Sequence, residues 1–223
     1  MADTQLLNRI REMILEGALK PGERVTEIGL AEQLGISRTP IRNVLPTLAA
    51  EGFLRPVGRR GFAVAAFSEH ESVEALEMRA VLEGQAARIL ARNGASADVL
   101  AKLDACLAEG DDLFRKGRLE AGDRETYGDV NARFHALIVA ASGSALLNAL
   151  LDRVNSVPFV GPAIVTFDHV DPERAFRLLF QAHGQHHSIV EAIRQRDGAR
   201  ADMLFREHAI AQRNTTFERR MHL

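Results

Sequence analysis

Between Gly22 and Gly61, two short apolar-periodic segments are joined by Gly35-Ile36-Ser37 and followed by the basic turn Gly58-Arg59-Arg60-Gly61. Few folds accept that order. Leu7, Ile10 and Ile14 lie at helical spacing and predict a first helix over about 5–16, ended by Gly17 and the Lys20-Pro21-Gly22 turn. Thr26 is placed to cap a second helix carrying Ile28, Ala31 and Leu34 on one face. Gly35 suits the left-handed position that closes it. Ser37 is expected to cap a third helix, with Pro40 in its first turn and Ile41, Val44, Leu45 and Leu48 on its buried stripe. Residues 53–57 and 62–65 read as two strands. Three helices and a β-hairpin wing make a winged helix-turn-helix, which sets its third helix in a DNA groove.

The solvent side of the third helix offers Arg38, Thr39, Arg42 and Asn43, with Ser37 at its start. Arginine can pair bidentately with guanine, and threonine or serine reaches phosphates or base edges. Arg59 and Arg60 at the hairpin tip suit phosphate or minor-groove contact. Taken singly, each arginine reads better as a solvated side chain; the pattern as a whole argues for DNA. Pro46 removes the N–H that would bond to the Arg42 carbonyl, at about 3 kcal/mol in a helix interior. A kink is expected there, beyond the turn that reads DNA.

The net charge of -2 does not advertise a nucleic-acid partner. Residues 1–66 nevertheless carry nine Lys/Arg against seven Asp/Glu, and the remainder carry 19 against 23. That tilt weakly favours a DNA-facing N-terminal part. Hydrophobic residues at 46% and charged residues at 26% argue against a disordered chain. The single cysteine, Cys106, cannot form an intramolecular disulfide, and a reducing cytoplasm is the expected location. The N-terminus does not read as a signal peptide, and no apolar run approaches the roughly 20 residues of a membrane span.

A linker over 67–71 is expected to separate an N-terminal domain, 1–66, from a helical one, 72–223; Ser68 and Glu71 have capping-box spacing. Helices are predicted from there to about Asn93, then near 96–109, 120–141, 144–156, 172–196 and 199–219. Breaks are expected at Gly94, Gly110, Gly143, Pro158 to Pro162 and Asp197-Gly198. The fold class is therefore mainly α: a winged helix-turn-helix followed by an all-α bundle. Residues 157–171 are too irregular to assign.

Asn131 and His135 stand four apart and share a helix face, while His186 and His208 lie on later helices. Three imidazoles and an amide oxygen could enclose one divalent ion. The spacing leaves alternatives open. His183 and His187 form an equally good pair, and all of these residues also read as surface or satisfied core histidines. Arg79 reads either as a surface arginine paired with Glu83 or as a carboxylate-gripping arginine.

The N-terminal segment resembles the GntR family of bacterial transcription factors. Leu19-Lys20-Pro21-Gly22, Leu30-Ala31-Glu32, Ser37-Arg38-Thr39-Pro40-Ile41-Arg42, Glu51-Gly52-Phe53-Leu54 and Gly61 carry the resemblance. It implies DNA contacts from Arg38, Thr39 and Arg42, and from the wing at Gly61 and its neighbours. The remainder resembles the FCD ligand-binding domain of the FadR subfamily. Its marks are Arg79 to Gly84, Asn131 to His135, His186 to Ile193 and Arg206-Glu207-His208. In metal-binding members, the positions matching Asn131, His135, His186 and His208 hold a divalent ion, and the first is often aspartate. Asn131 would subtract one negative charge, yet three imidazoles still suit zinc or nickel. The resemblance also favours a pocket position for Arg79.

These readings converge on a cytoplasmic, homodimeric, ligand-responsive repressor of a near-palindromic operator, with a small organic acid as effector and no membrane partner. Two rivals are a regulator for which the ion itself is the signal and a metal-dependent hydrolytic enzyme. The enzyme needs a general base at the metal, for which Glu191 and Glu207 qualify only by sequence proximity.

Overall fold

A computed structural model describes residues 3–15, 17–58, 61–66, 69–157, 160–162 and 171–217. The chain is mostly helical with one small sheet, and it divides into two compact units. The first comprises Met1–Ser72 together with Asn155–Gly161; the second comprises Val73–Val154 and Pro162–Leu223. The capping-box serine, Ser68, and the wing arginines, Arg59 and Arg60, lie outside the described residues.

In the first unit, α1 (Asp3–Leu15), α2 (Glu27–Leu34) and α3 (Arg38–Ala50) surround a core that includes Leu6, Ile10, Ile41, Leu45, Leu48 and Phe53. Thr26 caps α2 as expected, accepting from the Gly29 N–H at 3.1 Å, and Gly35 ends it at φ 67°. Ser37 occupies the N-cap of α3 but makes no capping hydrogen bond. A capping hydroxyl accepts from the second or third helical N–H; Pro40 at the third position has none to give, which leaves only that of Thr39.

Other details also depart from the sequence pattern. Leu6 rather than Leu7 is fully buried in α1. Ile28 is 53% exposed, while Leu30 and Ala31 form the buried side of α2. A two-residue strand, β1 (Arg24–Val25), joins β2 (Leu54–Val57) and β3 (Gly61–Val64) in a sheet ordered β1-β3-β2. Both pairings are antiparallel, with Arg24 opposite Ala63 and Val57 opposite Gly61. Two residues carry no periodicity, so β1 left no signal in the sequence. The α3 helix continues through Pro46 to Ala50, and Pro46 is exposed.

A bidentate pair ties α1 to the end of α3. Arg11 donates from Nη2 to Glu51 Oε1 at 2.5 Å and from Nε to Oε2 at 3.0 Å, with its guanidinium 5.9 Å from the Phe53 ring centroid.

The second unit contains α4 (Glu69–Asn93, from Val73 onward), α5 (Ala97–Phe114), α6 (Asp123–Ala141), α7 (Ala145–Asn155, to Val154), α8 (Pro172–Arg194) and α9 (Gly198–Phe217). Ala87, Leu103, Phe134, Ile138, Ile189 and Phe205 belong to its main core cluster. Gly94 and Gly143 end helices at φ 82° and 70°. Gly110 does not. It lies inside α5, buried, where an added Cβ would stand 2.6 Å from His183 Nδ1. The glycine read as a helix breaker is instead the gap that admits a histidine ring from α8. Among the described residues, no helix is long and apolar enough to cross a membrane.

Candidate functional site

The third helix of the first unit has two faces. Ile41, Val44, Leu45 and Leu48 are buried, while Ser37, Arg38, Thr39, Arg42 and Asn43 are exposed. The Ser37 hydroxyl, not engaged in capping, remains at the tip of this exposed face. Arg38 donates to Glu27 at 3.1 Å, with the two side chains 62% and 32% exposed. So exposed a pair contributes little stability and can exchange for a phosphate. Gly61 is buried at the start of β3; a Cβ there would meet the Val57 carbonyl at 3.1 Å and the Arg24 guanidinium at 3.4 Å. Gly61 therefore lets the hairpin close beneath Arg24. Arg24 itself, exposed on β1 beside the wing, is a cation that reading the sequence missed.

In the second unit, His135 of α6, His186 of α8 and His208 of α9 converge. All three are buried, and one ring nitrogen from each lies within 4.8 Å of the others. His186 Nε2 and His208 Nε2 are 3.2 Å apart. Phe134 stacks on His186 with centroids 4.1 Å apart, and Phe205 meets His135 edge-on at 5.3 Å. Aromatic walls thus fix two of the rings.

Hydrogen bonds on the outer sides of the rings settle how they present themselves. His135 Nδ1 lies 2.9 Å from Glu83 Oε1, and a carboxylate can only accept, so the proton sits on Nδ1. That leaves His135 Nε2 as a lone pair, and this atom is buried with no hydrogen-bond partner. His208 Nδ1 lies 3.0 Å from Gln185 Oε1, which likewise favours a lone pair on His208 Nε2. Two inward lone pairs beside a third imidazole are what a borderline divalent ion requires.

Glu83 is held in turn by Arg79, whose Nε lies 3.1 Å from Glu83 Oε2 off the ideal hydrogen-bonding angle. Arg79 is fully buried, so the surface position entertained for it is wrong although the pairing with Glu83 is right. Burial pushes the Glu83 carboxyl up, but the Arg79 charge and the hydrogen bond from His135 outweigh it and hold the group at about 2. Burial, followed by His135 and Arg79, pushes His208 down to about 3. Burial and the neighbouring histidines likewise push His186 well below the ordinary range. Both rings are neutral, as metal ligands must be.

Asn131 is buried one turn before His135, and its Nδ2 donates to the Pro162 carbonyl at 2.6 Å. That leaves its Oδ1 as the group able to act as a ligand. Glu191 and Glu207 are exposed, whereas the three histidines are buried. Neither supplies the general base that hydrolysis would need. A second group, Asp111, His183 and His187, also brings its ligand atoms within 4.8 Å of one another. Glu83, Gln185 and Asp111 were missed as partners of the histidines, because each meets its ring from another helix or through the tertiary packing.

Residues 3–64 match the description "Bacterial regulatory proteins, gntR family", and residues 74–211 match the FCD domain. The HTH-type transcriptional regulator YdhC of Bacillus subtilis is 30% identical over 98% of this chain and 91% of its own. The HTH-type transcriptional repressor GlaR of Escherichia coli is 27% identical over 90% and 89%. The structure of E. coli McbR/YncC aligns with a TM-score of 0.61 at 24% identity, covering 100% of both chains, and shares the fold. These families consist of transcriptional regulators, not enzymes, and GntR regulators act on DNA operators. A winged helix-turn-helix with a polar, arginine-bearing third helix, followed by an FCD bundle, makes this chain a transcriptional regulator of the GntR family.

Proposed function

We propose that this regulator is a FadR-type repressor that holds a near-palindromic operator as a homodimer and releases it when a small organic acid binds at a divalent ion in the histidine cluster. The observation that carries the reading is the buried, unpartnered Nε2 of His135, in a cluster where His135, His186 and His208 bring ring nitrogens within 4.8 Å of one another. An orphaned buried nitrogen is costly, and an ion removes that cost. His135, His186 and His208 would hold it, with Asn131 as a neutral fourth ligand. Zinc or nickel suits this nitrogen-rich set better than a hard cation. The ion would supply a Lewis-acidic anchor for a carboxylate, and the Arg79 charge, 3.5 Å from His135 Nδ1, favours an anion there.

Ser37, Arg38, Thr39 and Arg42 would read the operator, and Arg59 and Arg60 would form the wing contact; Gly61, expected among the contacts, is buried and shapes the hairpin instead. Exposed apolar pairs at helical spacing, Met78 and Val81 on α4 and Leu146 and Leu150 on α7, support a second copy as partner. A two-fold dimer calls for a two-fold operator. Repression follows the printed function of GlaR.

The test uses duplexes selected from a random pool by the purified protein, which is then stripped of metal and reloaded with zinc. A panel of small carboxylates should include one that weakens operator binding roughly 5- to 150-fold, and only in the loaded protein. Unchanged affinity with every acid would sink the acid-sensing step. The full burial of Arg79 against Glu83 favours a second reading, in which the ion alone is the signal. Chelation would then change operator affinity with no acid present.

A further inference from the structure

We infer that Asp111, His183 and His187 form a second, exchangeable site for a borderline divalent cation such as zinc, distinct from the buried triad and independent of the reading given to it. His183 and His187 stand one turn apart on α8, with ring centroids 5.0 Å apart. Both point Nε2 at a single oxygen of α5: Asp111 Oδ1 lies 3.0 Å from His183 Nε2 and 2.9 Å from His187 Nε2. Two imidazoles and one carboxylate aimed at one point form a ligand set for zinc, nickel, cobalt or copper.

The fold prepares this arrangement. Gly110, one residue before Asp111, has no side chain, and the His183 ring lies in that space; a Cβ would stand 2.6 Å from its Nδ1 and 2.8 Å from its Nε2. His183 is buried with Phe114 and Tyr127 against its ring, at centroid distances of 5.4 and 6.0 Å. It is the fixed member of the site. Asp111 and His187 are about half exposed, at 51% and 45%, and can adjust. Without an ion, the carboxylate accepts from both rings. With one, the Asp111 oxygen need only retreat far enough for metal–ligand distances of about 2.0–2.2 Å. Solvent on the open side completes the coordination, so the ion exchanges readily. It would bridge α5 to α8 and brace the turn that carries His186.

The test is zinc titration of the full-length, metal-stripped protein against a competing chromophoric chelator. Wild type, His187→Ala, Asp111→Asn and His135→Ala are compared, each with its helical circular dichroism recorded. The expectation is two zinc ions per wild-type chain. His187→Ala and Asp111→Asn should each weaken the lower-affinity ion by roughly 10- to 100-fold or more, since even outer partners of a metal ligand cost that much. His135→Ala should keep this ion. A wild type that binds one ion, lost in His187→Ala, supports the outer site and removes the triad. Zinc binding unchanged in both His187→Ala and Asp111→Asn overturns the proposal.

Discussion

Glu83 and His135 meet in the interior through an Oε1 to Nδ1 contact of 2.9 Å, with both side chains at most 2% exposed. The contact converts a buried carboxylate into the group that turns a lone pair toward two other histidines. It also explains why Arg79 is buried: the guanidinium neutralises Glu83 one turn away. The Arg79–Glu83 ion pair thus connects through His135 to the ring cluster. Replacing Glu83 by glutamine keeps an acceptor but removes the charge. Metal affinity measured by chelator competition should fall about 10- to 100-fold. Equal affinity in both proteins would show that Glu83 does not prepare the ligand.

The same groups make the metal-free bundle acid-labile. His186 and His208 titrate near 6.5 when unfolded and lower when folded. Below that pH the unfolded chain takes up protons that the folded chain refuses, so stability falls as pH drops. Each group adds a slope of about 1.4 kcal/mol per pH unit at full effect. Glu83, lowered from 4.5 to about 2, adds a further loss in that lower window. Urea unfolding of the stripped protein at pH 7.5, 6.0 and 5.0 should show this slope, and His208→Gln should flatten it. A pH-independent midpoint would contradict the neutral, buried rings.

Arg42 stands on the exposed face of α3 and makes no contribution to its buried stripe. Arg42→Ala should cost about 1–3 kcal/mol in operator binding if it reads a base edge. Metal content and helical circular dichroism should not change. Arg38→Ala should lower the salt dependence of binding by about one ion if Arg38 meets a phosphate. Wild-type binding by both variants would place the DNA contact elsewhere.

Gly110 is constrained by the ring it accommodates. Gly110→Ala should destabilise the bundle by about 1–3 kcal/mol through overpacking, despite the better helix propensity of alanine. Thermal unfolding measures it directly. A stabilised variant would mean that the His183 ring does not occupy that space.

Pro46 offers the opposite sign. Its position on the exposed side of an unbroken helix means that alanine should restore an N–H for the Arg42 carbonyl without a clash. Pro46→Ala should stabilise the winged domain by up to about 3 kcal/mol. No gain in denaturant midpoint would show that the helix already compensates for the proline.

Much of the first unit was legible because its signals are local. The Thr26 cap, the Gly35 stop and the stripe from Ile41 to Leu48 each depend on residues a turn apart. Ser37 holds the N-cap position without the expected side-chain bond, and Pro40, three residues on, removes one of its two possible donors. In the bundle, the helices followed from periodicity, but Gly110 was misread because its reason lies on α8. The three histidines could be grouped only by resemblance, since their spacing also allowed His183 and His187. Both groups form, and only tertiary packing separates them, one among Phe134 and Phe205 and the other at the edge beside Asp111.

The most direct test of the central claim is the metal content of purified His187→Ala protein, in which only the inner cluster can bind tightly, compared with the same protein also carrying His135→Ala or His208→Ala. The account predicts close to one divalent ion per chain in the first and its loss in both double variants. Retention of the ion in both would contradict it.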